Sequence, residues 1–525
     1  MSTTHQPAPR TDFVIDREDF NQRIVGAYNS GTAEKALPAD ITTVQSLIPA
    51  GTGVLRDFSY IAPEIPKYIP ENCVGCMECV TECPDTAILG KVIEEDQLEK
   101  ELAAISDPAL REHFRSQFVK TQKYHTVFEK KTGTGGLFGI FIDPTKCKGC
   151  AECVTVCDDN ALEMIRKTPD NMTQYRSAFE AYKQAPETPG KYINEKVLAD
   201  MMLAGKSLLY VGGAGSCMGC GEATAIRMML AATGFVYGPD QVGVIASTGC
   251  NTVYSSTYPY NPFLTPWANS LFENGPTFAM GVRAKWDQDP ESRKKVMWLI
   301  GGDGAMLDIG FQALSRMLLS GMNIKVLVLD TQVYSNTGGQ ASTGSFHGQE
   351  AKMSAYGKEG KGKKESRKEL GTIAMMHPNV FVAQTTAAHI NHFYRAVMAA
   401  NEFDGPAVLS VYTTCQPEHG VGDNMASTQA RLAVDTRAFP LFVYDPRKGK
   451  TFRERLSLQG NPNPKDDWYT NPKTNEPVTF IDFARSEGRF AKQFGKEGEP
   501  SPELLETMQN RLENWHMLQE LAGLR

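Results

Sequence analysis

Short apolar runs alternate with amphipathic segments through the second half of the chain. The apolar runs have the length of buried strands, and between residues 207 and 412 they read S-L-L-Y-V, V-G-V-I-A, V-M-W-L-I, I-K-V-L-V-L and A-V-L-S-V-Y. Segments such as F-Q-A-L-S-R-M-L-L at 311–319 have the apolar spacing of an amphipathic helix instead. This alternation predicts an α/β domain with a mostly parallel sheet and helices on both faces.

The first half of the chain contains an internal repeat of cysteine-rich segments. The two copies occupy residues 68–88 and 142–162. A charged stretch that begins E-E-D-Q-L-E-K-E-L has helical spacing, and we interpret residues 90–138 as an insertion between the two halves. We therefore predict four regions: an N-terminal extension at 1–65 that wraps another part of the protein, a small α+β domain at 66–195, the sheet domain at 196–430 and a C-terminal extension at 431–525.

Composition and charge exclude several classes of protein. Apolar residues make up 41% and charged residues 22% of the 525 residues, which is ordinary for a globular protein. A net charge of −7 gives no general preference for nucleic acid, and no apolar run is long enough to span a bilayer. The polar N-terminus has no secretory signal, so we expect a cytoplasmic protein whose twelve cysteines are reduced thiols that serve metal binding or catalysis.

The cysteines of the repeat stand in the spacing C-x2-C-x2-C-x3-C in both copies. This spacing binds two [4Fe–4S] clusters in bacterial ferredoxins, where the fourth cysteine of each run serves the other cluster. A pair of zinc sites would not need the third cysteine at the same spacing in both halves. We assign one cluster to Cys73, Cys76, Cys79 and Cys157, and the second to Cys147, Cys150, Cys153 and Cys83.

The four cysteines outside the repeat are Cys217, Cys220, Cys250 and Cys415, all in the predicted sheet domain. Such a set can hold a structural zinc ion or a third [4Fe–4S] cluster, or its members can be buried free thiols. The residues alone leave zinc and a cluster equally reasonable. Two neighbouring clusters favour a third one, because a redox chain needs a source of electrons.

Two loops in the sheet domain carry the residues expected around a diphosphate. V-M-W-L-I-G-G-D-G predicts a strand that ends in a tight turn, and I-K-V-L-V-L-D-T-Q-V predicts the next strand with its loop. Both loops would lie at the carboxyl ends of adjacent parallel strands, where α/β sheets bind ligands. Asp303, Thr331 and the carbonyl of Val333 form an oxygen set suited to Mg²⁺, and Gly302 and Gly304 let backbone amides approach phosphate.

With these residues assembled, the chain resembles the catalytic C-terminal half of the pyruvate:ferredoxin oxidoreductase family over about residues 60–425. The two loops match the layout of a thiamine diphosphate site. The generic motif has asparagine where Thr331 stands, whereas this family has threonine there. The most specific stretches are G-S-C-M-G-C-G-E, S-T-G-C, P-W-A-N-S-L-F-E-N, G-G-D-G-A-M-L-D-I-G, L-D-T-Q-V-Y-S-N-T-G-G-Q-A-S and Y-T-T-C.

The resemblance implies roles for individual residues. The four cysteines outside the repeat would bind the cluster nearest thiamine diphosphate, and Asp303, Thr331 and Val333 would hold Mg²⁺. Glu222 and Asn336 are the candidate catalytic residues, with Glu222 touching the cofactor and Asn336 facing the substrate. The other residues implied to line the cofactor are Cys250, Gly302, Gly304, Ala305, Gln332, Tyr334 and Ser335.

The resemblance also implies an activity: oxidative decarboxylation of a 2-oxoacid to acyl-CoA and CO₂. Coenzyme A would be the co-substrate, and electrons would pass through three [4Fe–4S] clusters to ferredoxin or flavodoxin. The stretch Y-S-N-T-G-G-Q-A-S favours pyruvate as substrate, with 2-oxoglutarate second. In the family a separate domain binds the cofactor's pyrimidine ring and the substrate carboxylate. The stretch before residue 66 is too short for that domain, so we expect a second subunit to supply it and a dimer of heterodimers to form.

Two other functions explain part of the sequence. A non-redox thiamine diphosphate decarboxylase or synthase would leave the twelve cysteines without a role. An electron-transfer subunit with a degenerate cofactor site would not explain the intact Asp303, Thr331 and Asn336. The lysine-rich run K-E-G-K-G-K-K-E-S-R-K at 358–368 predicts a solvated face, with docking of an acidic partner as the alternative.

Overall fold

The N-terminal extension packs on a loop of the sheet domain. The computed structural model describes residues 16–38, 40–44, 47–354 and 362–525, so residues 1–15 of the extension and 358–361 of the lysine-rich run lie outside the described residues. Phe20 and Ile24 are buried against Tyr260, and the Thr52 hydroxyl donates a 2.9 Å hydrogen bond to the carbonyl of Pro259. The helical segments of the extension are Arg17–Asp19, Phe20–Val25 (a π-helical turn), Gly26–Asn29, Ala33–Ala36, Ile41–Val44 and Thr52–Leu55 (a 3₁₀ turn).

The cysteine repeat forms two small antiparallel sheets. Strand β1 (Glu64–Tyr68) pairs with β5 (Leu162–Arg166), so the start of the first copy lies beside the end of the second. The other sheet has the order β2 (Ile88–Glu94), β4 (Gly136–Ile142) and β3 (Phe118–Val119). The α-helices here are Glu78–Thr81, Glu95–Ala104, Pro108–Ser116, Val127–Thr132, Glu152–Thr155, Pro169–Gln184 and Leu198–Met201. Short 3₁₀ turns occupy Pro70–Asn72, Gly190–Tyr192 and Gly205–Ser207, and Gln122–Thr126 is a π-helical turn.

The second half of the chain builds an eight-stranded sheet whose order is β13-β12-β10-β11-β9-β8-β6-β7. The strands from β10 to β7 in that order are mutually parallel, and β12 and β13 add antiparallel at one edge. This confirms the predicted mostly parallel α/β domain. The strands are β6 (Val242–Ser247), β7 (Trp267–Ser270), β8 (Val296–Gly302), β9 (Lys325–Asp330), β10 (Phe381–Thr386), β11 (Ala407–Tyr412), β12 (Phe442–Tyr444) and β13 (Leu456–Ser457).

Alternate residues of the central strands point to two different cores. Trp298 and Ile300 join one apolar cluster, which also includes the helix Gly221–Tyr237, whereas Met297 and Leu299 join the other. Helices therefore cover both faces of the sheet, as buried parallel strands require. The helices of this part are Gly221–Tyr237, Cys250–Ser255, Gly275–Trp286, Gly304–Ile309 (a π-helical turn), Phe311–Leu319, Leu370–Met375, Ile390–Glu402, Gln416–His419 and Ala426–Asp435, with 3₁₀ turns at Pro239–Gln241 and Ser292–Lys294.

The C-terminal extension packs on the sheet domain. Trp515 and Leu518 belong to the second sheet core, and a separate cluster of phenylalanines surrounds Phe346 of the sheet domain. The elements of the extension after β12 are the helices Phe452–Arg455, Phe480–Arg485 and Pro502–Leu521, the 3₁₀ turns Pro446–Lys448 and Gly488–Gln493, and the two-stranded ribbon of β14 (Tyr469–Thr470) and β15 (Pro477–Val478).

Two sequence-based expectations differ from the structure. The run S-L-L-Y-V is not a strand of the sheet, because Tyr210 makes only one isolated bridge, to Phe263, and the run is buried between the small domain and the helix Gly221–Tyr237. An apolar run of this length has no periodicity that separates a strand from other buried backbone. The lysine-rich run is not wholly a solvated face either. Lys363 is buried and donates 2.8 Å to the carbonyl of Ser345, and buried Arg367 pairs with Asp330.

No helix in the described part of the chain is both long and apolar enough to cross a membrane.

The central strand β9 offers a test of the core. Leu327 is 0% exposed, whereas Leu319 at the end of a helix is 60% exposed. We expect Leu327→Ala to lower the free energy of unfolding by about 2–5 kcal/mol, since it removes buried methyl groups and leaves a cavity. Leu319→Ala is the matched control and should change stability little. Chemical denaturation followed by circular dichroism measures both, and equal losses would contradict the sheet core described above.

Candidate functional site

The two cysteine loops have the same backbone conformation. Gly75 and Gly149 occupy corresponding positions with φ of 78° and 76°, and the next pair, Met77 and Ala151, has φ of 67° and 65°. A side chain at Gly149 would come within 2.6 Å of Ala62, so glycine is required there by space as well as by backbone conformation. The sequence repeat is therefore also a structural repeat.

The fourth cysteine of each copy is held in the same way. The Ala87 amide donates to the sulfur of Cys83 at 3.3 Å, and the Ala161 amide donates to the sulfur of Cys157 at 3.2 Å. Amide donors of this kind stabilise a thiolate that carries negative charge. Both copies thus present a fourth sulfur at a fixed position after the loop.

One cavity in the small domain brings together three cysteines of the first copy and one of the second. Cys76 is exposed and Cys79 is buried, so this cavity reaches from the interior to the surface. Burial raises the pKa of Cys79 well above its usual value, and the charges of Cys76, Cys73 and Cys157 raise it further. The residues around the cavity include Cys73, Cys76, Cys79, Cys157, Tyr68, Phe138, Ile140 and Leu162.

The other four cysteines of the repeat form a second, deeper group. Burial raises the pKa of Cys150 well above its usual value, and the charges of Cys83 and Cys147 raise it further. Cys147 is buried too, and burial raises its pKa to about 12. Cys83 of the first copy thus faces Cys147 and Cys150 of the second. The structure therefore groups the repeat cysteines in the crossed sets expected from the ferredoxin spacing.

The four cysteines outside the repeat surround one cavity in the sheet domain. Burial raises the pKa of Cys220 well above its usual value, as do the charges of Glu222, Cys217 and Cys415. Cys217 and Cys220 come from the loop before the helix Gly221–Tyr237, Cys250 follows β6, and Cys415 follows β11. The cavity is lined by Cys217, Cys220, Cys250, Cys415, Gly215, Ser216, Glu222, Val253, Tyr254, Thr331, Ser335, Asn336, Thr414, Gln416 and Pro417.

Two of the three cysteine groups place their sulfurs around a cavity. A [4Fe–4S] cubane takes one thiolate at each iron corner, so it needs such a spread set. Thiols with raised pKa values become thiolates when iron charge compensates them.

A second set of oxygen atoms meets between β8 and β9. The Thr331 hydroxyl lies 3.1 Å from Oδ1 of Asp303 and 3.2 Å from the carbonyl oxygen of Val333. Asp303, Thr331 and Val333 are all at most 2% exposed. Burial raises the pKa of Asp303 above its usual value, and the charge of Asp330 raises it further. A divalent cation that replaced the proton would relieve this cost, so the three oxygens fit Mg²⁺.

The cavity beside these oxygens has a wall in common with the cavity of Cys217. Glu222, Cys250, Thr331, Ser335 and Asn336 line both. The structure therefore places the two candidate catalytic residues, Glu222 and Asn336, on the boundary between the two cavities. The cavity beside Asp303, called the cofactor cavity below, is lined by Glu222, Thr248, Gly249, Cys250, Phe272, Gly302, Asp303, Gly304, Ala305, Thr331, Val333, Tyr334, Ser335, Asn336 and Thr337.

Glu222 is a buried carboxyl group with one oxygen that lacks a hydrogen-bond partner in the described part of the chain. The residue is 4% exposed, and the oxygen concerned is Oε2. Burial raises the pKa of Glu222 to about 8, and the charge of Asp303 contributes in the same direction. A group of this kind is protonated at neutral pH and can donate a hydrogen bond to a ligand. It therefore fits a cofactor that offers an acceptor atom in the cavity.

Gln332 is the one implied cofactor residue that the structure does not place in the cavity lining. Its φ is 58°, a left-handed conformation, and its side chain is 0% exposed. This conformation turns the side chain away from the cavity and into the interior, where Oε1 accepts a 2.7 Å hydrogen bond from Arg489.

Several residues at the site are not among those expected from the sequence. Thr248, Gly249 and Phe272 line the cofactor cavity. They lie within the motifs S-T-G-C and P-W-A-N-S-L-F-E-N, but the sequence did not single them out. Ser342 donates to the second oxygen of Asp303, and it ends the long stretch that follows β9. The motifs therefore contained the signal for these residues. No motif pointed to Arg489, because it lies in the C-terminal extension.

Comparison with protein families identifies two kinds of domain in this chain. Residues 247–411 match the thiamine pyrophosphate enzyme, C-terminal TPP binding domain. Residues 66–89 and 140–163 each match the 4Fe-4S binding domain. The chain thus binds thiamine diphosphate and [4Fe–4S] clusters.

Two relatives illustrate the similarity. A probable pyruvate-flavodoxin oxidoreductase of Escherichia coli is 28% identical over 85% of this chain and 41% of its own length. The pyruvate:ferredoxin oxidoreductase of Moorella thermoacetica is 27% identical over 93% of this chain and 44% of its own length. The chain therefore spans less than half the length of these relatives. Among solved structures, the 2-oxoglutarate:ferredoxin oxidoreductase of Magnetococcus marinus has a TM-score of 0.34 and 20% identity, over 39% of this chain and 65% of that one.

The cysteine groups predict the effect of removing one ligand from the repeat. Cys153→Ser should lower the iron content by about four atoms per chain, since it takes one thiolate from a [4Fe–4S] cluster. Met77→Leu is the matched control, because Met77 is also buried beside a cysteine loop and the exchange conserves volume. The iron content of the anaerobically purified variants measures whether Cys153 is a cluster ligand. Equal iron in Cys153→Ser and the control would show that Cys153 is not a ligand.

Proposed function

The chain belongs to the 2-oxoacid:ferredoxin oxidoreductase family, and from this premise we propose that it is the cofactor- and cluster-binding subunit of such an enzyme. The reaction is the oxidative decarboxylation of a 2-oxoacid, preferably pyruvate, to acyl-CoA and CO₂. Coenzyme A accepts the acyl group, and ferredoxin or flavodoxin accepts the electrons. The observation that carries this proposal is the wall that the cofactor cavity shares with the cavity of Cys217, formed by Glu222, Cys250 and Asn336 among others.

Residues 331–333, called the cation loop below, would hold the diphosphate end of the cofactor together with Asp303. Asp303, Thr331 and the Val333 carbonyl are the proposed Mg²⁺ ligands, since the Thr331 hydroxyl already lies within 3.2 Å of an oxygen of each of the other two. Gly304 lets the turn after β8 lie close to Tyr334, because a side chain at this position would come within 2.4 Å of the Tyr334 ring. When bound, thiamine diphosphate supplies the nucleophilic carbon and the electron sink that decarboxylation needs.

The residues of the shared wall orient the reacting groups. Glu222, protonated at neutral pH, would donate a hydrogen bond to the cofactor from the buried side of the cavity. Asn336 would face the substrate with its amide. Cys250 would be both a cluster ligand and a neighbour of the cofactor, so the distance for electron transfer would be set by a single residue.

The three cysteine groups would form a path from the cofactor to the surface. Lys148, in the loop of the second copy, is buried and donates to the carbonyls of Ala214 and Ser216, next to Cys217. The deep group of the repeat thus lies beside the cavity of the sheet domain. The first group contains the exposed Cys76. We infer that electrons enter the repeat at the deep group and leave at the group of Cys76.

A second subunit would cover the open side of the cofactor cavity. Val253 lines the cavity of Cys217 and is 50% exposed, and Leu271, which directly precedes Phe272 of the cofactor cavity, is 61% exposed. Large exposed apolar side chains around a ligand site favour a partner surface. We propose that this partner binds the pyrimidine ring of the cofactor and the substrate carboxylate, and that two such pairs associate.

Anaerobic purification of the full chain with any partner that copurifies tests the proposal. We expect about twelve iron atoms per chain, in accordance with three [4Fe–4S] clusters, together with bound thiamine diphosphate. Addition of pyruvate and coenzyme A should reduce the clusters, as followed by electron paramagnetic resonance, and a screen with 2-oxoglutarate establishes the preference. Iron without thiamine diphosphate would instead support a subunit that only transfers electrons.

The position of Cys217 predicts how the path fails. Cys217→Ser should remove the cluster of the sheet domain and leave the iron of the repeat in place, so pyruvate should no longer reduce the other two clusters. Dithionite, which reduces clusters directly, should still reduce them and serves as the control. Normal reduction of an external acceptor by this variant would show that electrons do not take the proposed path.

Asp303 predicts a separate loss on the cofactor side. Asp303→Asn removes the only charged member of the proposed Mg²⁺ set, so we expect Mg²⁺-dependent binding of thiamine diphosphate to be lost while the iron content stays unchanged. Asp240→Asn, at an exposed aspartate of the same domain, is the control. Calorimetric titration of the cofactor in the presence of Mg²⁺ measures the effect, and wild-type binding by Asp303→Asn would refute the assigned set.

A further inference from the structure

The cation loop depends on a backbone conformation that its own sequence does not favour. Gln332, between the proposed ligands Thr331 and Val333, has a φ of 58°. A left-handed conformation is unfavourable for a residue with a side chain, so other contacts must hold it. This turn is what brings the Thr331 hydroxyl within 3.2 Å of the Val333 carbonyl.

Two residues of the C-terminal extension supply contacts of this kind. Nη2 of Arg489 donates a 2.7 Å hydrogen bond to Oε1 of Gln332, and Nε of Arg489 donates a 2.5 Å hydrogen bond to Oε2 of Glu487. Arg489 and Glu487 are 3% and 2% exposed. The other oxygen of Glu487 accepts a 3.0 Å hydrogen bond from Tyr412, the last residue of β11. The guanidinium is therefore held from the sheet and in turn holds Gln332.

A second contact reaches the loop through His419. Nε2 of His419 donates a 2.7 Å hydrogen bond to the carbonyl of Thr331, and its Nδ1 lies 3.7 Å from Oε1 of Glu487. His419 ends the short helix that follows Cys415, a proposed ligand of the sheet-domain cluster. The 3.7 Å separation is too long for a hydrogen bond, so Glu487 is connected to the loop through Arg489 and Gln332, whereas His419 holds the Thr331 carbonyl on its own.

We propose that Arg489 and Glu487 are positioning residues of the cation site. They act through Gln332, and they fix the loop so that Thr331 and Val333 present their oxygens to the metal before it binds. This inference rests on the proposed function, because it takes the loop to be the Mg²⁺ and thiamine diphosphate loop. It gives the C-terminal extension a role in the site, although that extension contributes no residue to the cavity lining.

The chemistry of the network argues for positioning over simple packing. A planar guanidinium can donate to two acceptors in a fixed direction, which a flexible lysine cannot reproduce. Residues that orient metal ligands from behind commonly change metal affinity by about 10–100-fold when they are removed. Apolar packing alone would stabilise the fold without favouring one orientation of the loop.

The test compares two buried arginines of the C-terminal extension. Arg437 is 0% exposed and donates 2.7 Å to the carbonyl of Pro462, with its guanidinium 4.3 Å from the ring of Trp515. Within the described part of the chain, Arg437 forms no hydrogen bond or ion pair with Gln332 or His419. Arg489→Met and the control Arg437→Met therefore both remove a buried guanidinium, but only the first removes the contact with the cation loop.

Mg²⁺ titrations are carried out on the anaerobically purified full chain with any partner that copurifies. The signal is thiamine diphosphate binding, measured by calorimetry, and thermal unfolding of the same samples without cofactor is recorded alongside. We expect Arg489→Met to raise the half-saturating Mg²⁺ concentration by roughly 10–100-fold. Arg437→Met should keep the wild-type Mg²⁺ requirement, even where its unfolding temperature falls as far as that of Arg489→Met.

Gln332→Met keeps the inference testable should Arg489→Met fail to fold. It removes the acceptor for Arg489 and leaves the pair of Arg489 with Glu487 intact, and it should weaken Mg²⁺ binding with a smaller loss of stability. A wild-type Mg²⁺ requirement in the folded variants that lack either partner would overturn the inference. Absence of Mg²⁺-dependent cofactor binding in the wild-type chain would overturn the proposed function itself, and the two failures are therefore distinguishable.

Discussion

Four neighbouring parallel strands end at the same edge of the large sheet, and that edge supplies both cavities. Cys250 follows β6, Asp303 follows β8, Thr331 follows β9 and Cys415 follows β11. These strands are adjacent in the order β11-β9-β8-β6. Because all four run in one direction, residues that are far apart in the chain meet without any special connection. Cys250 and Thr331 both reach the wall that the two cavities share because of this strand direction.

The carboxyl ends of these strands bury charged side chains, which is unfavourable unless each charge has a partner nearby. Asp330 ends β9 with 0% exposure, and its carboxylate is paired with the buried guanidinium of Arg367. Burial nevertheless raises the pKa of Asp303 and of Glu222 above their usual values. Buried carboxyl groups of this kind destabilise the fold when no ligand is bound, so they indicate a binding site for a cation and for a ligand with an acceptor atom.

The sequence predicts four of the six parallel strands of the sheet, together with the cysteine groups, because both depend on local spacing. Four of the five apolar runs became strands of the sheet, and the crossed grouping of Cys83 and Cys157 follows from spacing alone. The remaining run, S-L-L-Y-V, is apolar because it is buried between two domains. Periodicity could not reveal the inward turn of Gln332, since its contact with Arg489 joins residues 157 positions apart. Nor could composition show that Lys363 and Arg367 are buried within a lysine-rich run.

We propose that Cys217, Cys220, Cys250 and Cys415 bind a [4Fe–4S] cluster, and not zinc, beside the cofactor. Anomalous diffraction from anaerobically grown crystals, recorded at the iron and the zinc absorption edges, distinguishes the two metals. We expect strong iron signal within the cavity that these four cysteines line, and two further iron sites at the cysteine groups of the repeat. Zinc signal at the four cysteines, or no metal there beside intact clusters in the repeat, would contradict it.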